Sequence, residues 1–235
     1  MCYILDQAVF GKIARAGLNA LKDRQYLDHT SYLTTELRRS FSTISSVLSL
    51  EPRRIIFLNS SCQHRISGAS DAAQDSTIGS GGFLLSNRSF QRLGAVVKIT
   101  PSVVQLWKPC DVYIAQLELL MVLQAFVTFP DEFRQCTGVW YIDNIASLMS
   151  LLKGRSENED LDHMSQLIHL LLFHLQCSLW FEWIQSKSNW SDGISRTGFQ
   201  DLFVRQFKFR CHTTTVVELL WQLPLFAVSR IFSFM

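Results

Sequence analysis

The feature that most constrains the fold is a short apolar run that ends abruptly in an acid. Val139 to Ile142 is β-branched and aromatic, which predicts a buried strand, and Asp143-Asn144 separates it from the helical pattern of Ile145 to Leu152. Asp143 therefore lies at the carboxyl end of a predicted core strand, where open α/β sheets bind their ligands. Aspartate is also a good helix N-cap, so this stretch alone supports a ligand-binding role and a capping role equally.

The composition indicates a globular chain with a sizeable core. Of the 235 residues 48% are hydrophobic, and the formal net charge of +2 neither demands nor excludes nucleic acid as a partner. The six cysteines show no C-x-x-C spacing, which argues against a zinc site and against a secreted disulfide framework. Charged residues interrupt the first 20 residues and the most apolar windows, so we expect no signal peptide and no membrane span. The expected location is intracellular, in the cytoplasm or the nucleus.

Periodicity places the other elements. Three strand candidates separated by polar turns indicate an antiparallel meander, and helices alternate with two further strands after it. The strand candidates are His64–Ala73, Ile78–Ser86, Arg92–Thr100, Val139–Ile142 and Leu179–Ile184. The main helix candidates are Leu5–Lys22, Tyr32–Leu50, Tyr113–Phe129, Ile145–Leu152 and Leu161–Cys177. Right-handed crossovers then give an α/β fold with a mixed five-stranded sheet flanked by helices.

Four acids stand where this order of elements brings them to one edge of the sheet. They are Asp71 near the end of the first strand, Glu118 in the apolar stripe of a long helix, Asp143 after the fourth strand, and Asp192 in a short last helix. A glutamate in an apolar stripe is rarely buried unless it is paired or binds a metal. Asp192 has a simpler alternative role, because an anion in the first turn of a helix is favoured by the helix dipole. Four crowded carboxylates require cations, and ligands that are all oxygen select Mg²⁺ or Mn²⁺.

The acids belong to motifs that follow one another in a fixed order. The motifs are Ser70-Asp71-Ala72 with Gly79-Ser80-Gly81-Gly82, Gln116-Leu117-Glu118-Leu119-Leu120, Tyr141-Ile142-Asp143-Asn144 with Leu152-Lys153-Gly154-Arg155-Ser156, and Trp183 with Asn189-Trp190-Ser191-Asp192-Gly193-Ile194-Ser195-Arg196. This ordered set resembles the ribonuclease H domain of retroelement reverse transcriptases, especially of the DIRS-like and related types. The resemblance covers about Ile66 to Thr197, and it implies a ribonuclease H-like fold.

The resemblance also implies a function. A domain of this family hydrolyses the RNA strand of RNA–DNA hybrids with two Mg²⁺ or Mn²⁺ ions about 4 Å apart, and reads the hybrid by its shape and 2′-hydroxyls. The matching metal-binding and catalytic acids are Asp71, Glu118, Asp143 and Asp192. The candidate phosphate contacts are Lys153, Arg155, Lys187 and Arg196. The expected partners are the hybrid and the polymerase part of a reverse transcriptase.

Two departures from the family pattern leave an alternative open. Ser191 stands where the family usually has alanine, and the chain has no Tyr-x-Asp-Asp polymerase signature, so it cannot copy nucleic acid by itself. The alternative is a catalytically inactive, retroelement-derived module that binds another protein through its N-terminal helices and apolar tail. The predicted division of the chain is a helical extension in residues 1–60 that weakly resembles a reverse transcriptase connection, a ribonuclease H-like domain in residues 61–200, and an unassigned segment in residues 201–235.

Overall fold

A computed structural model of the protein describes residues 13–26, 31–49, 64–74, 79–87 and 91–216. The strands of this part are β1 (His64–Gln74), β2 (Gly79–Asn87), β3 (Arg92–Lys98), β4 (Cys136–Ile142), β5 (Ser178–Trp183) and β6 (Arg210–Thr215). Its α-helices are α1 (Ile13–Tyr26), α2 (Thr35–Ser49), α3 (Pro101–Val104), α4 (Ile114–Thr128), α5 (Pro130–Phe133), α6 (Ile145–Lys153), α7 (Glu159–His174), α8 (Asp192–Thr197) and α9 (Leu202–Gln206). None of the helices described is long and apolar enough to cross a membrane.

All six strands form one mixed sheet in the order β5-β4-β1-β2-β3-β6. The first three strands make the antiparallel meander that the sequence predicts. Strand β4 then pairs parallel to β1, and β5 pairs parallel to β4, each after a helical crossover. The expected α/β fold class, with three antiparallel strands followed by parallel crossovers, is therefore confirmed.

The expected strand count of five is wrong, because β6 adds a sixth strand parallel to β3. Its residues Arg210 to Thr215 are mostly polar and alternate between half-buried and exposed at the edge of the sheet. Such a strand has no apolar periodicity, which is the signal that identifies the other strands. Residues 202–215, which the sequence left unassigned, therefore add a helix and a strand to this fold.

Each face of the sheet carries its own helices. Phe83 packs with Trp140 and with residues of α4 and α7 in the main core, whereas the next residue along β2, Leu84, packs with Ile194 of α8 and Val204 of α9. Successive strand residues point to opposite faces, so α4 and α8 lie on opposite sides of the sheet. Glu118 on α4 and Asp192 on α8 therefore approach the sheet from opposite faces.

Close packing between strands depends on glycine at two positions. A Cβ atom on Gly68 of β1 would lie 2.3 Å from the Trp140 ring, and one on Gly138 of β4 would lie 2.1 Å from the backbone oxygen of Ile66. Both distances are far below any real contact, so larger residues would separate β1 from β4. These glycines allow the two strands that lead to Asp71 and Asp143 to lie side by side.

The first two helices form a separate unit of packing. Helices α1 and α2 contact each other, and α1 also contacts α7. Leu18 of α1 is buried against Leu21 and against Ile44 of α2. The two predicted N-terminal helices are therefore confirmed within the described residues, with the first ending at Tyr26; its predicted beginning, in residues 5–12, lies outside them.

Candidate metal centre

The register of two neighbouring strands places two acids side by side. Ala69 of β1 is level with Tyr141 of β4 in the parallel ladder. Asp71 and Asp143 each follow two residues later, Asp71 while still paired with Gly82 of β2 and Asp143 just after β4 has ended. The apolar run that ends in Asp143 therefore delivers this acid to the side of Asp71.

Three carboxylates converge at this point. One oxygen from each of Asp71, Glu118 and Asp143 lies within 4.8 Å of the other two. Asp71 and Glu118 are buried, and Asp143 is half-buried at the mouth of an open pocket of about 590 Å³. The three acids come from two strands and a helix, so they meet only because the chain is folded.

Glu118 is the most deeply buried of the acids, with 2% of its surface exposed. Its Oε1 accepts a hydrogen bond from the backbone N–H of Ala72 at 3.2 Å. Its Oε2 is also buried and receives no N–H or O–H donor from the described residues, and a hydrogen bond between the carboxyls of Glu118 and Asp71 needs a proton on one of them. Burial raises the pKa of Glu118 well above its usual range, and the charges of Asp71 and Asp143 raise it further. An unsatisfied buried carboxylate oxygen is costly, so this group requires a proton or a cation.

Asp71 is also perturbed. Burial raises its pKa to about 6, with the charge of Asp143 acting in the same direction and a hydrogen bond from Ser195 opposing the shift. The Ser195 hydroxyl on α8 donates that bond to Asp71 Oδ2. Two neighbouring carboxyl groups with raised pKa values are the expected result of crowding acids in the absence of a positive charge.

Asp143 is not the cap of the helix that follows it. Asn144 is the N-cap of α6, because its side-chain oxygen accepts a hydrogen bond from the backbone N–H of Ser147 at 3.1 Å. The alternative in which Asp143 serves only as a cap is therefore wrong. Its backbone oxygen accepts a bond from Trp183 Nε1 at 3.2 Å, and its carboxylate is directed to the acid cluster.

Asp192 occupies a different position from the other three acids. It is the first residue of α8 and lines the same pocket, but it does not belong to the group of oxygens within 4.8 Å. Its Oδ1 accepts hydrogen bonds from Nε of Arg196 at 2.9 Å and from a terminal guanidinium nitrogen of Arg196 at 2.8 Å. The structure thus brings three of the four predicted acids together and places the fourth on the wall of the pocket.

The four candidate phosphate contacts are distributed over a wider surface. Arg196 lines the pocket, where it pairs with Asp192. Lys153 ends α6, Arg155 follows Gly154, and Lys187 lies in the short 3-10 turn after β5. All three are exposed, and none of them lines the pocket.

Sequence reasoning missed the polar residues that hold the acids. Ser195 lies within the last motif, but serine three residues after an aspartate is common in short helices and gives no signal of its own. Asn189 was missed as well: its side-chain amide donates to the backbone oxygen of Ser70 at 3.1 Å, which fastens the segment before α8 to β1. Only the fold brings these side chains, more than 100 residues apart in sequence, next to the first strand.

The residues present fit a hard divalent cation. Among the residues that the structure describes, the donors in the cluster are all carboxylate oxygens, and one buried oxygen of Glu118 receives no N–H or O–H donor. Oxygen donors without histidine or cysteine suit Mg²⁺ and Mn²⁺. Asp71, Glu118 and Asp143 would hold such an ion, and Asp192 lines the same pocket.

The strand order, with three acids brought together at the ends of β1 and β4, defines an α/β protein whose mixed sheet has the antiparallel meander and parallel crossovers expected of the predicted ribonuclease H-like fold. No family model and no curated protein matches the chain. Among solved structures it is similar to RNase H1 from the halophilic archaeon Halobacterium salinarum, with 12% identity and a TM-score of 0.44 over 58% of this chain and 98% of that one. It is also similar to the N-terminal RNase H domain of a Mycobacterium tuberculosis protein, solved as a fusion with maltose-binding protein, with 9% identity and a TM-score of 0.41 over 60% of this chain and 97% of that one. At these identities and TM-scores the two likenesses assign neither a family to the chain nor a role to any residue.

Proposed function

We propose that the protein is a metal-dependent endonuclease that hydrolyses the RNA strand of RNA–DNA hybrids. The observation that carries the proposal is the convergence of Asp71, Glu118 and Asp143 to within 4.8 Å, with a buried Glu118 oxygen that receives no N–H or O–H donor from the described residues. Bound cations would offset the repulsion between these carboxylates. Cations held by carboxylates are also common catalysts of phosphodiester hydrolysis. The ordered motifs, which resemble ribonuclease H domains, narrow the substrate to the hybrid.

The proposed cofactor is a pair of Mg²⁺ or Mn²⁺ ions. When bound, such ions stabilise the negative charge that develops on a phosphate and lower the pKa of water, so that it becomes a nucleophile at neutral pH. Asp71, Glu118 and Asp143 hold a cation in the buried part of the pocket. Asp192 provides a further carboxylate in the lining of this pocket, near enough for its charge to raise the pKa of Asp71.

The chain's basic residues orient the substrate in this proposal. Arg196 lies at the pocket and can exchange its bond with Asp192 for one with a phosphate, since surface ion pairs of this kind contribute little. Lys153, Arg155 and Lys187 are exposed on the outer surface and are assigned to the backbone of the hybrid. Contacts with phosphates do not distinguish one base sequence from another, which agrees with recognition of a hybrid by its shape.

We also propose that this nuclease is part of, or derives from, a retroelement reverse transcriptase. The support is the resemblance of the four ordered motifs. Residues 61–200 would be the nuclease unit and residues 1–60 a helical extension that faces the polymerase part. Strand β6 extends the sheet of the nuclease unit beyond residue 200.

The deciding experiment is cleavage of an end-labelled RNA–DNA hybrid by the full chain. We expect cuts in the RNA strand with Mg²⁺ or Mn²⁺, none with EDTA, and none in the matching DNA duplex or RNA duplex. A well-folded protein that leaves the hybrid intact with every metal would contradict the proposal. That result would favour the inactive interaction module instead.

A further inference from the structure

We infer that Ser195 is a positioning residue that orients the Asp71 carboxylate for the cation and fastens α8 to the sheet. The inference rests on the proposed function and deepens it, because it names a residue that sets the cation affinity without binding the cation. The supporting observations are the hydrogen bonds of the buried Ser195 hydroxyl.

Ser195 lies where three elements meet. Its side chain is 3% exposed, and its hydroxyl donates to Asp71 Oδ2 on β1. The same hydroxyl lies 2.8 Å from the backbone oxygen of Asp192, and the backbone oxygen of Ser195 accepts a bond from the Ser80 hydroxyl of β2 at 3.1 Å. One residue therefore joins two strands of the sheet to the helix that carries Asp192.

This contact determines how Asp71 presents its oxygens. A carboxylate turns easily about its terminal bond, so without a fixed donor its oxygens would be distributed over many orientations. A hydrogen bond from a hydroxyl to an ionised carboxylate is among the stronger ones, and here it is shielded from water. Partners that orient a metal ligand in this way commonly change metal affinity 10–100-fold when they are removed.

A nearby serine provides a matched control. Ser191 is also fully buried, and its hydroxyl donates to Asn189 Oδ1 at 2.6 Å. That oxygen also accepts the backbone N–H of Ser191 at 3.1 Å, so it keeps a partner when the hydroxyl is removed. Ser191→Ala therefore removes a buried hydroxyl from the same segment without touching an acid.

The test measures Mn²⁺ binding to the full chain by titration calorimetry, without nucleic acid, and the melting temperature in EDTA. We expect Ser195→Ala to weaken Mn²⁺ binding about 10–100-fold, while Ser191→Ala stays within about threefold of the wild type. Ser195→Thr, which keeps the hydroxyl, should restore most of the affinity. Cleavage by Ser195→Ala should recover when Mn²⁺ is raised by the same factor, which a general loss of structure would not allow.

The outcomes separate this inference from the proposed function. Mn²⁺ binding by Ser195→Ala that equals the wild type overturns the inference and leaves the nuclease proposal in place. A wild-type protein that binds no Mn²⁺ overturns both. If Ser195→Ala fails to fold, Ser195→Cys is used, because its thiol fills the space but is a weak donor; the same loss of affinity is expected, and wild-type affinity would again overturn the inference.

Discussion

Asn144 accepts a hydrogen bond from the backbone N–H of Ser147 at 3.1 Å and thereby caps α6, while its neighbour Asp143 lies in the acid cluster. The two adjacent residues thus divide the two roles that the sequence alone leaves open for Asp143. Because the cap is independent of the acid, the charge of Asp143 can be removed without loss of the helix start. A substitution at Asp143 can therefore test the acid separately from the cap of α6.

Asp143→Asn should leave the fold intact and abolish function. Asparagine has nearly the same shape as aspartate but contributes no charge to a cation site, so stabilisation by Mg²⁺ and cleavage of the hybrid should both be lost, the latter by about 100-fold or more. Circular dichroism, melting with and without Mg²⁺, and the cleavage assay measure these effects. Asn144→Ala should instead lower the free energy of unfolding by about 1 kcal/mol through loss of the cap. An Asp143→Asn protein that cleaves as well as the wild type would remove Asp143 from the site.

Much of the fold was predictable because its core strands are apolar and bounded by turns. The predictions for β1, β2 and β3 lie within a few residues of the observed strands, and the predicted helix over Tyr113–Phe129 is α4 (Ile114–Thr128). Helix α7 begins at Glu159, two residues before its predicted start at Leu161, because the Asn158 side chain caps it at Asp160 and Leu161. Caps that use one side chain in a charged turn are difficult to locate from periodicity, which responds to apolar residues.

The parts that could not be predicted depend on polar contacts between distant segments. Strand β6 is held at the sheet edge partly by Gln124 of α4, whose side-chain amide donates to Thr214 Oγ1 and to the backbone oxygen of Thr215, both at 3.2 Å. The link from Ser195 to Asp71 is of the same kind. Neither contact leaves a periodic signal, because each one is made by a single polar side chain. The approach of Asp71, Glu118 and Asp143 was predictable, since Asp71 and Asp143 lie near the ends of neighbouring strands and Glu118 interrupts the apolar stripe of a long helix.

Gln124→Ala should weaken the attachment of β6. The glutamine is 2% exposed, so its removal leaves the backbone oxygen of Thr215 without this donor and creates a small cavity. We expect the free energy of unfolding to fall by about 2–3 kcal/mol, measured by urea denaturation. Thr128→Ala, which removes only a 3.3 Å bond to Gln124 within α4, should cost less. Equal losses in the two variants would argue against a role for Gln124 in holding β6.

Gly138→Ala tests the close approach of β4 to β1. The added methyl group would lie 2.1 Å from the backbone oxygen of Ile66, so the strands must separate or the ladder must shift. Overpacking of this kind costs about 1–3 kcal/mol or more, and it should also displace Asp143 relative to Asp71. The expected result is a lower melting temperature together with weaker Mg²⁺ stabilisation. A variant with the stability and the Mg²⁺ response of the wild type would show that the strands tolerate the extra atom.

The metal-free protein should lose stability as the pH rises. Burial raises the pKa of Asp71 from 3.8 to about 6 and that of Glu118 well above its usual value, so the folded state binds more protons than the unfolded chain. The contribution of Asp71 is complete below pH 3.8 and is lost as the pH rises through about 6; a shift of this size corresponds to roughly 3 kcal/mol. Melting temperatures in EDTA from pH 5 to pH 8 measure the loss. Mg²⁺, which binds only the folded state, should reverse it at pH 8. A melting temperature in EDTA that rises over this range would contradict the crowding of the acids.

Glu118→Gln replaces the most deeply buried acid with a neutral side chain and keeps an acceptor for the backbone N–H of Ala72. Glutamine retains a carbonyl oxygen for the Ala72 N–H, and its amide can donate to Asp71 or Asp143 where two carboxylates formerly repelled each other. In EDTA at pH 8 the variant should therefore melt at a higher temperature than the wild type. It should also lose its response to Mg²⁺ and its cleavage of the hybrid, because the cation site has one charge fewer.

The reverse substitution on the same helix provides the control for Glu118→Gln. Gln124 is equally buried, but among the described residues its amide donates to the neutral oxygens of Thr128, Thr214 and Thr215. Gln124→Glu should destabilise the protein at pH 8 with or without Mg²⁺, since a charge buried there has no cation to share. If Glu118→Gln instead lowered the melting temperature in EDTA and kept the full Mg²⁺ response, Glu118 would be a structural residue bonded to Ala72, and the cation would have to be held by the aspartates alone.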